Sequence, residues 1–455
     1  MGDLPSGDEG RPMPAWFANA KFGVFIHWGA YSVPAWAEPT GELGAVDPEV
    51  WFAHNPYAEW YWNTSQIEGS PAHEHHRTVH GGLPYDTFLD AWKAELFDPA
   101  EWIDVFARAG ARYVVVTTKH HDGIALWDAP GTGTRNTVHR GPHRDLVADL
   151  AAATRARGLR FGVYYSGGLD WHAGRRAVIQ HEDLIDECRP HEAAYAAYAL
   201  RQVHDLIDRY RPDVLWNDIG WPDAGLADLP GLFAHYYATV PDGVVNDRWD
   251  GAHADYLTSE YQANRQNETA AHWEQCRGIG LSFGYNSNEG PEHLLDPAGA
   301  VRLLVNVAAR GGNLLLNVGP KADGTLPGEQ RAVLEGIASW MAGHGSALYA
   351  TRPLEPGATE PCDGAAWIRW THDDQHAFAF LADVPDSARG QVVLKTRPGL
   401  LDPATVVRLD DLPVRADAVP DGILVTSVEL GTPLPTVLRF ALLRGPATSA
   451  AGGWR

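Results

Sequence analysis

The chain has 455 residues, too many for one compact core, and its 45% hydrophobic and 21% charged content is that of an ordinary globular protein. Asp and Glu number 58 against 36 Lys and Arg, and the formal charge of −22 repels nucleic-acid backbones and anionic membrane surfaces. No run approaches the roughly 18 apolar residues of a membrane-crossing helix, so neither nucleic acid nor membrane is expected as a partner.

Residues 1–14, "MGDLPSGDEGRPMP", read as a loose arm with no basic start and no apolar signal run. The expected location is the cytoplasm, or outside the cell if a leader has been removed. Eight strand-like runs follow: "KFGVFIH" (21–27), "RYVVVTT" (112–118), "RFGVYYS" (160–166), "DVLWND" (213–218), "GVVND" (243–247), "DYLTSE" (255–260), "GLSFGY" (280–285) and "NLLLNVG" (313–319). Most are continuously apolar, as parallel strands covered on both faces must be. Helical stretches such as "PAEWIDVFARAG", "DLVADLAAATRARG" and "EAAYAAYALRQVHDLIDRY" lie between several of them. Repeated strand–helix units predict an α/β fold, and eight strands favour a (β/α)8 barrel over residues 15–347. The fifth and sixth runs nearly touch, at residues 247 and 255, which leaves no room for a helix and predicts a distorted barrel. Beyond "LEGIASWMAGHG" the pattern changes to short strands with turn signals, beginning with two runs around an Asp-Asp turn in "AAWIRWTHDDQHAFAFLADV". Residues 348–455 are therefore expected to form a C-terminal antiparallel β-sandwich.

Cys188, Cys276 and Cys362 are odd in number and show no CxxC, so neither a disulfide framework nor a zinc knuckle is indicated. His27, His120 and His121 stand in no HxH or HExxH frame, and no metal site is expected. The 18 Trp suggest carbohydrate, whose apolar CH faces stack on indole, although buried Trp is more commonly packing.

Barrel active sites are built at the C-terminal ends of the strands. Here those ends carry His27, His120 and His121, Tyr165, Trp216 and Asp218, Arg248 and Glu260. "DVLWNDIGWPD" ends an apolar strand on a carboxylate, which is costly in a core and useful at a cleft; the competing reading of Asp218 is a helix N-cap. Retaining glycoside hydrolysis is one chemistry that needs a pair of carboxyl groups, about 5–5.5 Å apart. Asp218 is one candidate, and Glu59, Glu260 and Glu274 are candidates for the other.

The blocks "WFANAKFGVFIHWGAYSVPAWAE", "YVVVTTKHHDGIALWD", "GVYYSGGLDW", "LWNDIGWP", "VVNDRW", "WEQCRGIGLSFGYN" and "GGNLLLNVGP" resemble, in order and rough spacing, those of the α-L-fucosidases of glycoside hydrolase family 29. The resemblance implies a retaining exo-α-L-fucosidase with Asp218 as nucleophile and no metal or cofactor. It implies Glu260, twelve residues past Arg248, as acid/base, and Glu59 as a ligand of a sugar hydroxyl. Glu274 is left to a supporting or structural place. The resemblance also places His27, His120 and His121 on fucose hydroxyls. Tyr165 and Trp216 are then expected to line the sugar face, with Trp60 and Phe283 as apolar wall for the C6 methyl and Arg248 pairing with Asp218 or Glu260. The same machinery acting on α-L-galactosides, and a non-catalytic carbohydrate-binding barrel, are the rival readings; retention of both Asp218 and Glu260 argues against the second. The expected partner is a fucosylated oligosaccharide or glycoside, and a homo-oligomer is compatible with the chain.

Overall fold

The computed structural model describes residues 11–174, 178–359, 366–385, 390–430 and 432–443. Among these, eight parallel strands form one sheet: β1 (Phe22–Ile26), β2 (Tyr113–Lys119), β3 (Arg160–Ser166), β4 (Val214–Asp218), β5 (Val244–Val245), β6 (Leu257–Glu260), β7 (Trp273–Gly278) and β8 (Asn313–Val318). Their order is β5-β4-β3-β2-β1-β8-β7-β6, the order of a (β/α)8 barrel that is left without a ladder between β5 and β6. β5 is only two residues long, and side chains close the gap: the Val245 N–H donates to Asp255 Oδ2 (2.8 Å) and the Thr258 N–H to Asp247 Oδ1 (3.1 Å). The expected distortion lies at this seam. Arg11 is fastened there too, paired with Asp255 at 3.0 Å and donating to Gly243 O at 2.7 Å. The end of the expected loose arm is thus pinned by a buried carboxylate, while residues 1–10 lie outside the described residues.

Helices cover the barrel, several of them started by aspartate. Asp98 accepts from Ala100 and Glu101 at the helix Pro99–Arg108, and Asp145 and Asp296 do the same for Leu146–Ala156 and Pro297–Ala308. Each cap satisfies backbone donors that the first turn leaves free, worth about 1 kcal/mol.

One expected strand is misplaced. "GLSFGY" is loop, and the seventh strand is the preceding "WEQCRG". Its polar Glu274, Gln275 and Arg277 hide a strand whose burial is nonetheless complete. Alternation sends Cys276 into the barrel, while Arg277 reaches outward to pair with Glu42 at 3.0 Å.

The C-terminal residues form two antiparallel sheets. The larger, β12-β15-β10-β9, contains β9 (Trp367–His372), β10 (His376–Ala382), β12 (Leu401–Arg408) and β15 (Thr436–Leu442). The smaller, β11-β14-β13, contains β11 (Gln391–Leu394), β13 (Val414–Val419) and β14 (Gly422–Ser427). Leu394, Ile423 and Val425 pack with Ala379, Leu381 and Phe440 between the sheets. Phe378, Phe380 and Val437 face the other way and join the barrel's own core. Trp340 of the helix Gly328–His344 anchors this contact by donating its indole N–H to Pro435 O at 2.9 Å. Cys276 is a free thiol, and Cys362 lies outside the described residues.

Candidate active site

The C-terminal ends of the strands open onto two joined spaces, a chamber of about 40 Å³ and a wider cleft of about 660 Å³. Tyr57, Trp60, His121, Asp218, Arg248 and Glu260 line both, so they stand at the junction. His27, Glu59, His120, Tyr164, Trp216 and Phe283 line only the inner chamber. No described residue beyond Phe283 lines either space, which leaves the C-terminal sheets outside the site.

Asp218 is the last residue of β4, and its carboxylate is held from several sides. The Tyr164 hydroxyl donates to Oδ2 (2.8 Å), Arg248 Nη1 to Oδ1 (2.7 Å) and the Ile219 N–H to Oδ1 (3.0 Å). Burial works to raise this carboxyl, but Arg248, His121 and the Tyr164 hydroxyl outweigh it and hold its pKa below the usual aspartate value. The chain reverses at once after it, through Ile219 at φ 58°. A β-branched residue in the left-handed region is strained by about 1–3 kcal/mol, a conformation that survives where the surroundings over-determine it. Glu260, the last residue of β6, is followed by Tyr261 at φ 46° in the same way.

One guanidinium joins the two carboxyl groups. Arg248 Nη2 donates to Glu260 Oε2 (2.8 Å) while Nη1 holds Asp218, and the Tyr57 hydroxyl donates to Glu260 Oε1 (3.1 Å). Sharing one fork brings both carboxyl groups to the same guanidinium. Arg248 lies over the Trp216 ring at 4.6 Å, a cation–π contact on its free face.

The three histidines converge on the inner chamber. β2 ends at Lys119, so His120 and His121 are free of strand alternation and both turn inward. Asn317 donates through Nδ2 to Phe283 O (2.6 Å), which leaves its Oδ1 to accept from His27 Nδ1 (2.7 Å). His27 then presents Nε2 as an acceptor. The Ser166 hydroxyl donates to Leu169 O (2.5 Å), so His121 Nδ1 donates to Ser166 Oγ (2.7 Å) and its Nε2 is likewise an acceptor. Burial is the main cause that lowers His27 to about 3 and His121 to about 4, so both are neutral at ordinary pH. His120 stacks on Tyr164 (5.4 Å, 9°), and its buried Nδ1 has no hydrogen-bond partner.

The candidate glutamates separate by place. Glu59 faces only the inner chamber, where Oε2 accepts from the Gly284 N–H (2.7 Å) and the Ser282 hydroxyl (3.3 Å). Glycine at 284 allows this approach, since a Cβ there would stand 2.9 Å from the Tyr31 ring and 3.1 Å from the carboxylate. Burial pushes Glu59 up to about 7 against those hydrogen bonds. Glu274 lines neither space; it lies in the barrel interior, accepting from Tyr113 and Trp216.

Tyr165 is a correction. It points out of the barrel, donating to Gln202 Oε1 (2.8 Å) under the Lys119 ammonium at 4.7 Å. Tyr164 takes the place expected of it, because β3 pairs Tyr164 with Trp216 and Ser166 with Asp218 and so puts the even-numbered residues on the inner face. Trp60, Trp216 and Phe283 line the chamber, and Phe25, Tyr57, Tyr164 and Cys276 join them without having been singled out as site residues in the sequence. The i, i+2 spacing of Trp216 and Asp218, extended to the neighbouring strand, is the signal that would have selected Tyr164.

Comparison with known proteins bears on the family. The family profile described as Alpha-L-fucosidase matches residues 4–346. The tissue alpha-L-fucosidase of Homo sapiens is 34% identical over 365 residues, 77% of this chain and 72% of that protein. The Alpha-L-fucosidase of Dictyostelium discoideum is 30% identical over 389 residues, covering 83% and 79%. Among solved structures, an alpha-L-fucosidase superposes with a TM-score of 0.89 at 46% identity, covering 95% of this chain and 98% of that one. The Thermotoga maritima alpha-fucosidase in complex with fucose gives 0.83 at 44% identity, covering 94% and 97%. The chain belongs to the alpha-L-fucosidase family.

Proposed function

We propose that the protein removes terminal α-L-fucosyl residues from oligosaccharides or glycosides by double displacement, with Asp218 as nucleophile and Glu260 as acid/base. The position of Glu260 carries the reading. A proton shuttle must reach the oxygen between sugar and aglycone, and Glu260 lines both the inner chamber and the outer cleft. Glu59 reaches only the inner one and Glu274 neither.

In the first step the Asp218 carboxylate attacks the anomeric carbon while Glu260 gives its proton to the departing aglycone oxygen. In the second, Glu260 takes a proton from water, which displaces Asp218 and releases fucose with its configuration retained. Neutral His27 and His121 offer acceptors, and Glu59 a carboxyl, to the ring hydroxyls. Phe25 and Phe283 are apolar surface suited to a C6 methyl. Activity on a chromogenic α-L-fucoside, with a much lower rate on the matching α-L-galactoside, is the expected result. Equal rates on the two would remove the fucose assignment, and no turnover of either would remove the enzyme reading.

A further inference from the structure

Glu274 is fully buried among aromatic residues and takes no part in the two chemical steps. Its Oε1 accepts the Trp216 indole N–H (3.1 Å) and its Oε2 the Tyr113 hydroxyl (2.5 Å). Trp216 connects it to the site. The indole stacks on Tyr164 (5.4 Å, 24°), packs against Phe25 (5.3 Å) and carries the Arg248 guanidinium at 4.6 Å. Tyr164 and Arg248 are the two side chains that donate to Asp218.

We infer that Glu274 is a positioning residue for the nucleophile, acting through Trp216 on the Tyr164 hydroxyl and the Arg248 guanidinium. The inference rests on Asp218 being the nucleophile. A buried carboxyl is a costly way to fill a barrel, and an apolar side chain would pack the same space. What the carboxyl adds is an acceptor, Oε1, that holds the indole in its plane, while Oε2 is itself held by the Tyr113 hydroxyl. A rotated Trp216 would shift both partners of Asp218, and a small misplacement of a reacting group costs up to about a hundredfold in rate.

The test uses the full-length protein with an aryl α-L-fucoside, in Glu274→Leu, Glu274→Gln, Trp216→Phe and the Glu274→Leu/Trp216→Phe pair. Leucine removes both acceptors, and kcat is expected to fall about 10- to 100-fold with KM little changed. The groups facing Asp218 are Arg248, His121 and Tyr164, with Glu260 sharing Arg248. Loosening Arg248 and Tyr164 weakens what keeps Asp218 ionised, so the acidic limb of the kcat/KM profile moves to higher pH. Glutamine keeps an acceptor for the indole and should stay near wild type. Trp216→Phe keeps a ring but loses the N–H, and should reproduce the Leu variant in kcat and in the acidic limb. The double variant should then be no worse than the worse single one, because both remove the same contact. Losses that multiply in the double variant, an unmoved acidic limb, or a Gln variant as impaired as Leu would overturn the inference. If Glu274→Leu does not fold, an acidic limb unmoved in Trp216→Phe overturns it alone. Wild-type turnover of the fucoside tests the proposed function separately.

Discussion

Asp218→Gly is expected to lower turnover of an aryl α-L-fucoside by roughly four or more orders of magnitude, the scale on which deletion of a catalytic nucleophile acts. The fold should persist. Asp218 shares Arg248 with Glu260, so removing the aspartate leaves the part-buried guanidinium paired rather than stranded, the case in which loss of a charge partner is tolerable. Glycine also opens space on the face from which the carboxylate attacked. Added azide should occupy it, displace the aglycone in one step with help from Glu260, and yield fucosyl azide of inverted configuration. Wild-type turnover in this variant, or rescue that gives the retained azide, contradicts the assignment. In the unaltered enzyme the depressed pKa of Asp218 keeps the nucleophile ionised as pH falls. The acidic limb of kcat/KM should therefore lie below the ordinary aspartate range, activity being present above that pKa and lost only as pH drops through it.

Glu260→Ala is expected to divide substrates by leaving group. General acid catalysis contributes about 10²–10⁴-fold, and that loss should fall on natural or alkyl fucosides, whose aglycone oxygen must be protonated to depart. Fluoride or nitrophenolate leaves without a proton, so for these the first step should survive and breakdown of the fucosyl-enzyme become limiting. Azide needs no base to attack, and should accelerate that second step to give fucosyl azide of retained configuration, opposite to the product from Asp218→Gly. If Glu260→Ala hydrolyses good and poor leaving groups with equal loss while Glu59→Ala shows the divided pattern, the acid/base role passes to Glu59.

Much of this site was legible because barrel chemistry collects at strand ends. His27, His120, His121 and Asp218 each follow an apolar run and Glu260 ends the more polar "DYLTSE", so their common destination could be read once the strands were counted. Face was harder to read than end. In "RFGVYYS" both tyrosines are aromatic and adjacent, and only the pairing of Tyr164 with Trp216 in the neighbouring strand decides which turns inward. β7 was hidden because its interior face carries Glu274, a residue type that ordinarily marks solvent. Its partners, Tyr113 and Trp216, come from strands 161 and 58 residues away, so no local pattern announces them. Tyr57 was missed for a related reason. It lies in the long excursion between β1 and β2 and reaches Glu260 across 203 residues. β13 is half-exposed along its length and offers little hydrophobic signal, whereas the hairpin of β9 and β10 was marked by its Asp-Asp turn.

The central claim, that Asp218 forms a covalent fucosyl intermediate at the junction of the two spaces, is tested most directly by trapping. A 2-deoxy-2-fluoro-fucosyl fluoride loses fluoride readily, but its electron-withdrawing substituent slows hydrolysis of the resulting ester. Incubation with the wild-type protein, followed by proteolysis and mass measurement of the peptides, should give one fluorofucosyl unit on the peptide that contains Asp218, with activity lost in proportion to labelling. A label on a peptide containing Glu59, Glu260 or Glu274 instead, or steady turnover of α-L-fucosides with inversion and no label at all, would contradict it.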